Sequence, residues 1–330
     1  MTEQPLRIGL VGAGSIARVA ELPALMAAPQ VVIAGVVTRT YASAQQVAHR
    51  WPIERAYPSV EAMIEHARLD ALFVLTPKTI HTPFVELGLR AGLDVFCEKP
   101  LASRLEEAKQ LAALADATGR ILMVGFNRRY AEVYITAREQ FRERPVQFCV
   151  AQKNRPGSEY RATLENSIHM VDLLRWFCGE AVEVAAHAIA PDPYHEEGTM
   201  ALIRFESGAI GALVAARSAG EWDERLDVYG GLTSVRVTAP DAVAISQQGE
   251  TRLIEMRPRA MGWAQVNVTM GFGPEVWEFL ACVRERRQPR TNAHEAVRTQ
   301  ELTEWVLRAA GLPLEDRTEQ LAEEPRHGSR

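Results

Sequence analysis

Three groups of residues have types and spacings suited to chemistry. Gly12-Ala13-Gly14-Ser15-Ile16-Ala17 follows a short apolar run and opens a segment of helical composition. Gly12 permits a tight turn, Gly14 lets the backbone approach a pyrophosphate, and Ala17 allows close helix–strand packing. Phosphates would then meet free N–H groups at the helix N-terminus, around Ser15 and Ile16. The second group, Glu98-Lys99-Pro100, puts a lysine directly after another apolar run. A free lysine has a pKa of about 10.4 and is a poor base at neutral pH. Partial burial and a neighbouring oxidised nicotinamide, which is cationic, would both lower that value. Lys99 could then take or return the proton of a hydroxyl. The third group is Glu165, His169, Asp172 and Trp176 on the otherwise apolar segment Leu164 to Cys178. Their i, i+4, i+7, i+11 spacing makes one helical stripe, which lines a cavity if the helix is buried and is a solvated face if it is not.

Further residues extend the cofactor set. Thr38-Arg39 ends the second apolar run where an acid would select NAD through the ribose 2′-OH. Without that acid a 2′-phosphate is not repelled, and Arg39 and Thr38 can donate to it, which favours NADP. Stacking of Arg39 on adenine would serve NAD equally. Thr76, Pro77, Thr79 and His81 follow the third run, at the strand edge where open α/β sheets bind ligands. Pro77 and Thr79 would border the nicotinamide ribose, and His81 could equally be a structural residue at a helix start. Glu98 and Asn127 complete the cofactor candidates. For substrate, the polar stretch Gln152 to Arg161 reads as a loop offering Lys153, Asn154, Arg155 and Tyr160, and Trp263 could stack on a sugar face or simply pack.

The elements that must position these groups follow from pattern. Apolar runs at Leu6–Val11, Val31–Val37, Ala71–Leu75, Asp94–Cys97 and Ile121–Gly125 alternate with helical segments. This predicts an α/β, doubly wound parallel sheet covered on both faces. From Val146 to Val237 strand-like runs follow one another, punctuated by Gly208, Gly230-Gly231 and Pro240. They predict a second α+β domain with a large, mainly antiparallel sheet. Helices from Pro274 to Arg287 and Ala293 to Ala310 are expected to close it. The expected division is residues 1–125 for dinucleotide binding and 126–330 for substrate binding and oligomerisation, with a charged tail from about residue 315.

The whole chain resembles the Gfo/Idh/MocA family, the group of glucose-fructose oxidoreductase and inositol dehydrogenase. The segments that carry the resemblance are Gly12 to Ala17, Thr76-Pro77 through His81, Ala91 to Ala102 with Glu98-Lys99-Pro100 inside it, Gly125 to Tyr130, and Ile168 to Leu174. The resemblance implies a Rossmann domain followed by a sheet domain for substrate and oligomerisation. It implies that Lys99 contacts both nicotinamide and substrate, and that His169 acts near the reacting carbinol. The family has an aspartate four residues before that histidine; this chain has Glu165, which could orient His169 or reflect a retuned substrate. Asp172 could fix the tautomer of His169 or cap a neighbouring element.

The expected activity is reversible oxidation of a secondary alcohol on a sugar, inositol or related polyol, with NADP or NAD. Lys99 and His169 relay the proton and Glu165 assists. The competing readings are an oxidoreductive glycosidase or lyase with a tightly held cofactor, and a non-catalytic NADP-binding redox sensor. No metal is expected, because the stripe lacks a clear third and fourth ligand. The chain has 37 basic and 42 acidic residues, a formal net charge of −5, which argues against a nucleic-acid footprint. No membrane partner or secretory signal is expected. Cys97, Cys149, Cys178 and Cys282 form no C-x-x-C and read as buried free thiols in a cytoplasmic protein. The run Ala209 to Ala216 is apolar at both parities, so both its faces need cover, which predicts a homodimer or homotetramer through the second sheet.

Overall fold

The computed structural model describes residues 4–157, 161–256 and 266–315. The chain forms two compact units, Met1–Ile135 with Met256–Arg298, and Thr136–Glu255 with Thr299–Arg330.

The first unit begins with β1 (Leu6–Val11), whose last four residues are buried. Helical backbone starts at Ser15, passes through a π-helical turn at Ala17–Glu21 and continues as α1 (Leu22–Ala27). Next come β2 (Val31–Val37), α2 (Tyr41–Arg50) and α3 (Val60–Ala67). Thr40 and Ser59 start these two helices by accepting the N–H groups of Ser43 and Ala62, as side-chain N-caps do. Then follow β3 (Ala71–Val74), α4 (His81–Arg90), β4 (Asp94–Glu98), α5 (Leu105–Thr118), β5 (Leu122–Gly125) and α6 (Glu132–Glu139). The strands form one sheet in the order β2-β1-β3-β4-β5, every pairing parallel. This is the doubly wound sheet that the alternating runs predict, and its order places the carboxyl ends of β1, β3 and β4 side by side.

The second unit contains β6 (Phe148–Asn154), α7 (Ile168–Cys178), β7 (Ala181–Ile189), β8 (Gly198–Phe205), β9 (Ile210–Ala216), β10 (Asp223–Gly230), β11 (Thr233–Thr238), β12 (Ala242–Gln247) and β13 (Glu250–Glu255). They make an eight-stranded sheet, β13-β12-β11-β10-β6-β9-β8-β7, antiparallel except between β6 and β9. Strands β12 and β13 are not anticipated from sequence. Lys153 and Asn154, expected in a loop, are the last residues of β6.

The chain then re-enters the first unit with α8 (Val266–Thr269) and α9 (Phe272–Glu285), and α10 (Ala293–Ala309) follows. A single cut near residue 125 therefore does not describe the units. The cause is packing. Phe279 of α9 meets the stacked pair Phe73 and Phe96 edge-on, at ring separations of 5.3 and 5.8 Å. Val276, Leu280 and Val283 join the same core as Ile8 and Leu10. Trp277 Nε1 also donates to Ala24 O at 3.0 Å. Among the described residues no helix is long and apolar enough to cross a membrane.

Candidate functional site

The glycine turn has the conformation its sequence requires. Gly12 has φ +92°, and a Cβ there would come within 2.6 Å of Leu75 O, so both backbone angle and close approach demand glycine. A Cβ on Gly14 would meet nothing within 4 Å. Gly14, Ser15 and Ile16 are exposed, so the start of the helix is open to a pyrophosphate. Arg39 is exposed beyond β2, and Thr38 Oγ1 donates to Thr40 O at 3.0 Å.

After β3, Pro77 and Thr79 are exposed and Thr76 is partly so. The Thr76 hydroxyl is buried and has no hydrogen-bond partner. An orphaned hydroxyl beside an open glycine turn is what a bound dinucleotide would satisfy, so these residues fit the cofactor. His81 does not share that surface. It is buried, with Nδ1 2.8 Å from Pro100 O and Nε2 2.7 Å from Thr76 O. Burial pushes its pKa down, while these two carbonyls push it back up. The ring staples the loop after β3 to the loop after β4.

Lys99 lies just past β4, partly exposed, and its backbone N–H donates to Glu98 Oε2 at 3.1 Å. The Lys99–Pro100 bond is cis. The charge of Lys99 is felt at both His81 and Glu98. Asn127 is fully buried. Its Nδ2 donates to Met270 O at 2.9 Å and its Oδ1 accepts from Arg128 at 3.1 Å. It ties the end of β5 to the returning segment and has no surface for a cofactor. A pairing across 143 positions leaves no local trace in sequence.

In the second unit the expected continuous helix from Leu164 divides. A π-helical turn at Ala162–Asn166 precedes α7. Glu165, partly exposed, folds its Oε2 back onto the N–H of Arg161 at 3.1 Å. His169 is only 5% exposed on α7, so the stripe is not a solvated face. Asp172 is wholly buried and accepts from Thr299 Oγ1 at 2.8 Å, while Arg175 donates to the same oxygen at 2.9 Å. It ties Thr299 of α10 to α7. Lys153 forms a buried ion pair with Glu224 at 3.2 Å. Asn154 lines an open recess of about 370 Å³ with Ala219, Gly220, Glu221 and Asp223, and its Oδ1 has no partner. Arg155 is exposed. Tyr160 and Trp263 lie outside the described residues. The four cysteines are free and buried.

Sequence reasoning assigned no role to Glu21 and Glu275. Both are completely buried carboxyls of the first unit, without hydrogen-bond partners. An acid within an apolar helical segment was the available signal.

Two family models match the chain. Residues 6–126 match the oxidoreductase family with an NAD-binding Rossmann fold, and residues 120–236 match the Gfo/Idh/MocA C-terminal domain. The protein YceM of Salmonella typhimurium is 29% identical over 321 residues, covering 92% of this chain and 98% of that protein. An inositol 2-dehydrogenase of Paracoccus denitrificans is 32% identical over 181 residues, covering 52% of this chain and 54% of the enzyme. The crystal structure of the dehydrogenase MviM from Clostridium difficile superposes with a TM-score of 0.83 at 21% identity, covering 92% of this chain and 99% of that one, which shows a shared fold. The chain belongs to the Gfo/Idh/MocA family of NAD(P)-binding oxidoreductases and is a dehydrogenase or reductase.

Proposed function

We propose that this protein interconverts a secondary alcohol and a ketone on a sugar, an inositol or a related polyol. The observation that carries the reading is the placing of Lys99: partly exposed, beside the glycine turn's edge of the sheet, with its backbone held by Glu98. When bound, the nicotinamide accepts or supplies the hydride at the carbinol carbon. Gly12, Gly14, Ser15 and Ile16 hold the pyrophosphate, and Thr76, Pro77 and Thr79 border the ribose. Lys99 holds the substrate hydroxyl, stabilises developing alkoxide charge and moves its proton. His169 on α7 is the second candidate for proton transfer in this reading, with Glu165 ordering the turn that leads into its helix. Asn154 offers its unpartnered Oδ1 to a substrate hydroxyl, and Arg155 is exposed next to it. The name of the Paracoccus relative supports a polyol.

Exposed Arg39, with no acid at the end of β2, supports NADP over NAD. The open face of the second sheet supports self-association. Met200 and Leu202 are 62% and 58% exposed, Phe148 is 52% exposed, and their register aligns them with Val214, Ala212 and Ile210. A second copy of this sheet would cover that apolar strip. Light scattering of Leu202→Glu should then show a smaller species than the unmodified chain.

The decisive experiment is a panel of polyols and sugars, each with NAD and NADP, followed at the nicotinamide absorbance. Lys99→Met should keep cofactor affinity and lose at least about a hundredfold in turnover. Near-normal turnover would remove Lys99 from the mechanism.

A further inference from the structure

The turn at Ala162–Asn166 is π-helical by its hydrogen bonds. The N–H groups of Asn166 and Ser167 donate five residues back, to Arg161 O at 3.2 Å and Ala162 O at 3.0 Å. The Ser167 carbonyl then accepts from Met170 at 2.8 Å and Val171 at 3.0 Å, so the turn runs directly into the helix that carries His169. Single π-helical turns are rare and frequently mark functional sites, which raises the question of what holds this one in place.

Arg161 holds its N-terminal end. The Arg161 carbonyl accepts from Asn166, and its N–H donates to Glu165 Oε2 at 3.1 Å. Its side chain, 4% exposed, pairs through Nε with the wholly buried Glu196 at 3.3 Å, and Glu196 also accepts the Thr163 N–H at 2.9 Å. The other two guanidinium nitrogens reach past the end of α10. Nη2 donates to Pro313 O at 2.8 Å and Nη1 to Glu315 O at 3.3 Å. A second, apolar tie joins the same two pieces of chain. Leu164 of the turn clusters with Leu307 of α10 and with Leu312, and the partly buried Leu314 packs against them. The turn, the end of α10 and residues 312–315 all belong to the second unit.

One buried cation is enough to neutralise Glu196. The bonds to two carbonyls more than 150 positions along the chain add nothing to that charge balance. They fix where the guanidinium lies, and with it the backbone of residue 161. Arginine suits this because its planar fork serves a carboxylate and two carbonyls at once, whereas a lysine ammonium is a point charge on a flexible stem.

We propose that residues 312–315 form a clasp on the π-helical turn, and that Arg161 is the positioning residue through which the clasp fixes the Glu165 carboxylate and the start of α7, and hence His169. This rests on the reading of His169 and Glu165 as groups that act in proton transfer. A misplacement of about 1 Å in such a group can cost about a hundredfold in rate, so a clasp far from His169 in sequence is felt in turnover.

The test uses two variants that loosen the clasp by different routes. Arg161→Lys keeps a cation for Glu196 and gives up the fork. Leu314→Ala weakens the apolar tie and leaves the ion pair intact, so the proposal stays testable if the first variant does not fold. The ring resonances of His169, assigned by their loss in His169→Gln, should shift or broaden in both variants. They should stay in place in Arg308→Ala, which cuts only an exposed pair with Glu304 on α10. Turnover of the compound oxidised fastest in the polyol and sugar panel should fall about tenfold or more in both variants. Affinity for NADP should not change, because the residues that fit the cofactor lie in the first unit. His169 resonances that match those of the unmodified chain in the folded variants overturn the positioning role, even where the variants melt earlier. A shift in Arg161→Lys alone overturns the part given to residues 312–315. If the resonances move in both variants and His169→Gln keeps full turnover, the clasp stands and the role assigned to His169 falls.

Discussion

In the second unit Lys153 and Glu224 sit 3.2 Å apart and Arg161 and Glu196 3.3 Å apart, all almost fully buried. Asp172 and Arg175 are linked through Thr299. In the first unit Glu21 and Glu275 are equally buried, yet their oxygens have no partners. These acids of the second unit are paired with cations, whereas two buried acids of the first unit have no hydrogen-bond partner. An ion pair fixes one geometry, because either partner alone is intolerable. Burial raises the pKa of an acid left without a partner, as at Glu21 and Glu275, so its charge state responds to pH. The paired acids belong to the second unit and the unpartnered ones to the first.

The largest expected effect breaks the fixed side. Glu224→Ala leaves the Lys153 ammonium buried and should lower stability by about 3–5 kcal/mol in urea unfolding. The double variant Lys153→Met, Glu224→Leu should recover most of the loss. If the single variant is mild, the pair is not buried as described. Next is Thr299→Val, which removes the hydroxyl between Asp172 and Arg175 and should cost about 1–3 kcal/mol.

The titrating side has the opposite sign. A carboxyl whose folded pKa is raised is favoured by folding when protonated. Its destabilising contribution begins above the unfolded value of about 4.3 and grows until the folded pKa is passed. Glu21→Gln and Glu275→Gln should therefore melt higher than the unmodified chain at pH 8, with the gap closing toward pH 4. Melting lower at pH 8 would make these acids stabilising anions and abolish the contrast. The smallest effect is expected at the exposed Arg204–Glu183 pair, where Arg204→Ala should change stability by no more than about 0.5 kcal/mol.

Much of the fold was legible because its signals are local. The apolar runs of β1 to β5 are short and continuous, and a sheet covered on both faces requires that. The glycine turn was legible because Gly12 must have positive φ, and Lys99 because the order of runs puts it at a strand's carboxyl end. Other residues misled for equally physical reasons. His81 and Asn127 lie in loops that border a site, but their side chains turn inward to bond backbone carbonyls. Asp172 shares the stripe with His169, but Thr299 occupies it. Strand β13 was missed because an exposed edge strand needs little apolar alternation, and β12 was missed although Val243 and Ile245 alternate inward.

By itself the sequence determined the parallel sheet, the dinucleotide turn and the lysine at its edge, since each depends on neighbours within a few positions. Only tertiary structure decided which acids are buried and which are paired. Glu21 and Glu275 lie far apart in the chain, and they share one unit because α9 returns to pack Phe279 against Phe73 and Phe96. A side chain's charge state depends on the solvent and partners left to it, and those are fixed only when the chain closes on itself.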